Sequence, residues 1–189
     1  MAVGILGGAF DPPHVGHVAL ARAAVDELDL ERLLVLVVAD PGHKQTIASA
    51  DARLELARLA FEDVLGADVE LDAHARTVDS LEARRPHDAI FVIGGDEFAD
   101  FWRWKRPERV LELTRLGVAM RPGVSDDLVG DALARLSAPG RVSFFRLEPI
   151  PVSSSLVRQR IASGESIDDL VPTRVVDAIR RLGLYAPAE

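Results

Sequence analysis

Short β-rich runs alternate with helical patterns along the chain, and this alternation restricts the folds open to it more than any other feature. The strand candidates are Val3–Leu6, Leu33–Val38, Asp68–Leu71, Ala89–Ile93, Gly117–Met120 and Val142–Leu147. Several are apolar throughout rather than alternating, the pattern of strands covered on both faces. Between them, Val18, Ala21, Val25 and Leu28 recur at helical spacing, as do Leu54, Ala57 and Phe61 in a segment near Asp51–Leu65. Other helical stretches cover Val78–Ala83, Pro107–Leu113 and Asp126–Leu136. This order predicts an α/β fold with a doubly wound, Rossmann-like parallel sheet, helices on both faces and right-handed crossovers. After Leu147 the alternation stops. Two helices are expected near Ser154–Ala162 and Thr173–Leu182, as a small C-terminal helical extension capping the sheet edge. The loops Asp40–Ala48 and Arg121–Ser125 follow strands, where such folds bind ligands.

Composition narrows the function classes. Of 189 residues 48% are hydrophobic, which supports a packed core, and none is cysteine. A disulfide scaffold, a thiolate zinc site and a cysteine nucleophile are therefore excluded. The net charge of −8 argues against broad electrostatic binding to nucleic acid or anionic membranes. An anionic ligand would need a local cluster of donors. The N-terminal residues read as a strand rather than a signal peptide, and no run reaches the ~18 apolar residues of a spanning helix. A cytoplasmic enzyme is the expected setting.

The strongest chemical signal follows the first strand, in Gly7-Gly8-Ala9-Phe10-Asp11-Pro12-Pro13-His14-Val15-Gly16-His17. The two glycines allow a tight turn and close approach to a ligand. A helix beginning near His14 would point its N–H groups and positive dipole end into the same space. His14 and His17, three apart, share one face of its first turn, and Gly16 leaves room for a bulky group. Together these residues make a phosphate cradle. A second cluster, Val152-Ser153-Ser154-Ser155-Leu156-Val157-Arg158, offers hydroxyl N-caps and an arginine one turn into a helix, suited to a phosphate.

The segment Gly8–His17 carries the complete signature Gly-x-Phe-Asp-Pro-x-His-x-Gly-His and resembles the His-x-Gly-His nucleotidyltransferase superfamily. Ser154, Ser155 and Arg158 match that superfamily's triphosphate-binding segment. Across essentially the whole chain the sequence is similar to bacterial nicotinate mononucleotide adenylyltransferases. Asp40-Pro41-Gly42-His43-Lys44 resembles their Pro-His-Lys loop, Gly94-Gly95-Asp96 their Gly-x-Asp, and Arg121-Pro122-Gly123 and the Leu184-Tyr185 ending also fit. The resemblance implies one nucleotidyltransferase domain over 1–189, with an α/β core to 150 and a helical segment over 151–189.

By the same resemblance His14 and His17 are catalytic, with His17 nearest the α-phosphate. ATP would be bound by Gly7, Gly8, Ala9, Phe10, His14, Gly16, His17, Gly94, Asp96, Ser154, Ser155 and Arg158, with Asp96 on the adenosine ribose. Lys44, Arg76, Thr77, Trp104, Lys105 and Arg121 fall on the mononucleotide side, Lys44 on its phosphate and Trp104 stacked on the pyridine. Two positions depart from the family pattern: Arg76 replaces a tyrosine, and Lys105 stands where an aromatic residue or histidine is frequent. The expected reaction joins ATP to nicotinate mononucleotide, with Mg2+ on the phosphates, to give deamido-NAD and pyrophosphate. Alternatives are nicotinamide mononucleotide as acceptor, pantetheine-phosphate adenylyl transfer, or a catalytically silent nucleotide-binding regulator. Gly94-Gly95-Asp96-Glu97-Phe98 also spells a diguanylate cyclase signature, but a cyclase leaves the paired histidines unexplained.

Overall fold

In a computed structural model, residues 2–42 and 45–186 are described. Six strands, β1 (Ala2–Gly8), β2 (Leu30–Val38), β3 (Ala67–Asp72), β4 (Ala89–Gly94), β5 (Arg115–Met120) and β6 (Val142–Arg146), pair in the order β3-β2-β1-β4-β5-β6. Every pairing is parallel, with Leu6 opposite Val35 on one side and Val92 on the other. This is the expected doubly wound, Rossmann-like sheet. The chain winds outward through β2 and β3, then returns to lay β4 beside β1. The β1–β4 boundary is thus the topological switch point, and the carboxyl ends of such strands are where these folds bind ligands.

The continuous apolar runs are buried on both sides because side chains alternate between two hydrophobic layers. Leu6, Val35, Val37, Ile90 and Val92 face one layer, while Ile5, Leu36, Phe91, Ile93 and Val118 face the other. The first layer is covered by α1 (Val15–Glu27), α2 (Ala50–Phe61), α7 (Ser154–Ala162) and α8 (Thr173–Leu182). The second is covered by α3 (Thr77–Arg84), α4 (Gly95–Ala99), α5 (Pro107–Leu113) and α6 (Asp126–Ala134). Local sequence sets several starts. Ser49, Ser125 and Ser153 are N-caps whose hydroxyls accept from Ala52, Leu128 and Leu156 amides, and Pro107 opens α5.

Three expectations need correction. The C-terminal helices do not cap the sheet edge. Val157, Val175, Val176 and Ile179 are buried in the same layer as Leu33, Val35 and Phe61. In α2 the inward stripe is Arg53, Leu56, Ala57, Ala60 and Phe61, and Leu54 lies only partly buried beside it. A short helix, α4, and the 3-10 turn Phe101–Arg103 stand where only a connection was expected. Among the described residues no helix is long and apolar enough to cross a membrane.

Candidate active site

The first loop leaves β1 at the switch point. Gly7 and Gly8 belong to the strand, so they do not make the turn. The turn is carried by Phe10, whose φ of +49° lies in the left-handed region. Its buried ring packs edge-on against His17 at 5.0 Å and Phe61 at 5.5 Å, which holds this costly conformation in place. A Cβ on Gly8 would lie 2.8 Å from that ring. Glycine is needed there for close approach.

His14 is the N-cap of α1, and its N–H donates to His17 Nδ1 at 3.2 Å. The two imidazoles stack with centroids 3.7 Å apart and planes 21° from parallel. Because His17 Nδ1 accepts, the neutral ring carries its proton on Nε2, the tautomer that can donate to an oxyanion. His14 is 8% exposed, and burial pushes its pKa down to about 4. It is neutral at pH 7, and its Nδ1 is buried with no hydrogen-bond partner. The helix amides are more committed than the sequence implied, since Val15 N–H donates to Leu170 O and His17 N–H to His14 O. The room beside Gly16 is also filled: a Cβ there would lie 2.9 Å from Val152 and 3.1 Å from the His14 ring.

The second signature meets the first. Ser154 Oγ donates to Pro12 O at 2.8 Å, and Arg158 Nη1 donates to Asp11 O at 2.6 Å. Arg158 Nη2 donates to Ser155 Oγ at 3.2 Å. Ala9 is half-buried beside them and its carbonyl is taken by Arg53. Across the switch point, Gly94 closes β4 and its N–H donates to Glu97 at 3.0 Å. Asp96, exposed on the first turn of α4, accepts from Arg121 at 2.5 Å. One residue expected on ATP and one on the acceptor are thus in direct contact. Gly95 is buried where a Cβ would press Val124 at 3.0 Å, which fixes a small residue before Asp96.

On the acceptor side the grouping is looser. Trp104 is half-buried against Phe101 at 5.2 Å and Phe91 at 6.1 Å, and Phe91 also faces Gly7. Lys105 is bound by both oxygens of Asp79 at 2.9 Å, so its ammonium has an anion already. Arg76 is exposed at the N-cap of α3, with Thr77 next to it. Lys44 lies outside the described residues.

Residues to which the sequence assigned no role also converge here. Arg53 is fully buried and Asp11 nearly so, both between the first loop and the 40–48 loop. Asp72, buried at the end of β3, lies 2.8 Å from His74 Nδ1 and also accepts from the His74 N–H. The one legible signal was Arg53 itself, a cation at a position shared with Leu56, Ala57 and Ala60. Among the described residues no group of three or more His, Cys, Asp or Glu could cage a metal ion.

These features define the class, a doubly wound α/β protein with stacked imidazoles at its topological switch point. Residues 5–160 match the model of the cytidylyltransferase-like family. A probable nicotinate-nucleotide adenylyltransferase of Rubrobacter xylanophilus is 38% identical, over 98% of this chain and 92% of the relative. One from Exiguobacterium sibiricum is 35% identical, over 98% of this chain and all of the relative. The chain belongs to the cytidylyltransferase-like family, and within it to the bacterial nicotinate-nucleotide adenylyltransferases. The fold is shared with a Plasmodium falciparum nicotinic acid mononucleotide adenylyltransferase solved with NaAD, with TM-score 0.79, 16% identity and 97% of both chains covered.

Proposed function

We propose that the protein transfers the adenylyl group of ATP to nicotinate mononucleotide, giving deamido-NAD and pyrophosphate in NAD biosynthesis. The observation that carries this reading is the convergence at the switch point. There the stacked His14–His17 pair, the start of α7 and the Asp96–Arg121 pair all lie at the carboxyl end of the sheet. The acceptor phosphate oxygen attacks the α-phosphorus in line, the bond to the bridging oxygen of pyrophosphate breaks, and pyrophosphate leaves. A phosphate monoester is largely dianionic at neutral pH, since its second pKa is near ~6. It needs no strong base, so orientation and charge stabilisation do most of the work.

In this reading His17 Nε2–H donates to the α-phosphate and His14 lies against the phosphates, with Gly7, Gly8, Ala9, Phe10 and Gly16 shaping the wall. Ser154, Ser155 and Arg158 serve the β,γ end. Arg158 keeps one donor on Asp11 O and one on Ser155 Oγ and offers its remaining N–H groups. Asp96 takes the ribose beside Gly94, since a carboxylate can accept from Arg121 and from hydroxyls together. Lys44, Thr77, Trp104, Arg121 and Arg76 form the acceptor side. Mg2+ bound to the phosphates would offset their charge, holding to the protein through few ligands. Residues 1–189 act as one domain, in the cytoplasm.

Pyrophosphate release from ATP, measured with nicotinate mononucleotide, nicotinamide mononucleotide and phosphopantetheine, tests the proposal. Fastest release with nicotinate mononucleotide is expected. Release that ignores the acceptor, or that is fastest with phosphopantetheine, would overturn it.

A further inference from the structure

Two buried side chains of opposite charge join the first loop to the loop after β2. The Arg53 guanidinium donates to Ala9 O at 2.7 Å, Val38 O at 2.8 Å, Ala39 O at 2.6 Å and Ala48 O at 3.2 Å. The Asp11 carboxylate accepts from Ile47 N–H at 2.7 Å and Ala48 N–H at 3.1 Å. Val38 and Ala39 lead into the 40–48 loop, and Ile47 and Ala48 lead out of it. Both feet of that loop are therefore tied to the segment that ends in His14 and His17. Buried ions persist only where hydrogen bonds replace their water, and here each bond is also a tether between loops.

The third donor to Asp11 comes from the far end of the chain. The Tyr185 hydroxyl donates to Asp11 Oδ1 at 2.8 Å, the same oxygen that accepts from Ala48. Tyr185 is 8% exposed and lies beyond the stretch 5–160 that matches the family model. Its backbone has φ +65°, a left-handed conformation unfavourable for a side chain of this size. A surface tail has no need of that bend. It brings the phenol to a carboxylate that would otherwise be gripped only by the loop it has to hold.

We propose that Tyr185 is a positioning residue for the acceptor. Its hydroxyl sets the Asp11 carboxylate, and through Ile47 and Ala48 that carboxylate holds the 45–48 segment against the loop that leads to the histidine pair. Which substrate this segment meets rests on the adenylyl-transfer reading above. The tether itself does not.

Tyr185→Phe removes one oxygen and keeps the ring. A lost hydrogen bond of this kind should raise the KM for nicotinate mononucleotide about three- to tenfold and leave the ATP KM within about twofold. Amide exchange at Ile47 and Ala48 should accelerate by a similar factor of about three to ten relative to Val35 and Val37 in β2. Leu111→Ala, a core change in α5 within the other hydrophobic layer, should lower Tm without separating the two KM values. Equal shifts in both KM values, or unchanged exchange at Ile47 and Ala48 in Tyr185→Phe, would overturn the proposal. So would wild-type amides at these two positions exchanging as fast as that of exposed Gln45, a result that needs no variant. If wild type does not use nicotinate mononucleotide at all, the functional reading fails while the exchange measurements still decide the tether.

Discussion

His14 and His17 stack at 3.7 Å, a separation at which two imidazolium cations would repel strongly. Burial resolves the conflict by keeping His14 neutral. Its pKa falls from 6.5 to about 4, so between those values the unfolded chain binds a proton that the folded chain refuses. Folding stability should therefore drop as the pH falls through this window, by about 2 kcal/mol between pH 7 and 5. Urea midpoints of wild type and His14→Asn at both pH values check this, because asparagine can N-cap but does not titrate. A wild-type loss no larger than the variant's would refute it. His17→Ala should lower kcat by about 10²–10³, as for losing one preorganised donor, and wild-type turnover in the folded variant would remove His17 from catalysis. The departures at Arg76 and Lys105 now differ in standing. Lys105 is neutralised by Asp79, whereas Arg76 is exposed with its side chain at the entrance of α3. Arg76→Ala should thus cut the preference for nicotinate over nicotinamide mononucleotide by about tenfold, roughly 1.4 kcal/mol, and Lys105→Ala should leave it unchanged. Comparing kcat/KM for both acceptors decides, and an unchanged preference in Arg76→Ala would assign the choice to other groups.

At the scale of elements, the site exists because α7 is docked on the first loop. Ser154 and Arg158 hold the carbonyls of Pro12 and Asp11, residues over 140 positions away in sequence. Arg158→Ala removes both that strut and the cation proposed for the triphosphate, so the KM for ATP should rise more than the KM for the acceptor. Initial-rate kinetics with each substrate varied would show it, and equal effects would argue for a strut alone. Among the described residues, the six strands and seven of the eight α-helices were legible in the sequence, since apolar runs and helical spacing report burial directly. α4 was not, because five residues starting Gly95-Asp96-Glu97 are too few to show a period. The motif histidines were legible as a pair. Their surroundings were not, because Gly16 faces Val152 and Val15 faces Leu170 only after the chain's ends are packed together. Arg53, Asp11 and Tyr185 share that limitation, since their partners are backbone groups or residues far along the chain.

For the molecule as a whole, the structure bears on whether residues 151–189 are an appendage or part of the core. Val157, Val175, Val176 and Ile179 are each at most 3% exposed and share a layer with Leu33, Val35 and Phe61. Burying a side chain of this kind is worth about 1.5–3 kcal/mol, so these four alone represent about 6–12 kcal/mol as an upper range. That matches the whole stability of an ordinary domain, about 5–15 kcal/mol. Removing the segment would also expose the α2 face beneath α8, where Arg174 pairs with Glu62 and Arg181 with Glu55. It would leave Asp11 without Tyr185 and Val15 N–H without Leu170. A chain ended at 150 should therefore lose cooperative unfolding and bind a hydrophobic dye, as partly packed states do. Calorimetry and dye fluorescence on that truncation test this. A sharp transition near the wild-type Tm would show instead that residues 1–150 fold alone, and that the C-terminal helices only dress a finished sheet.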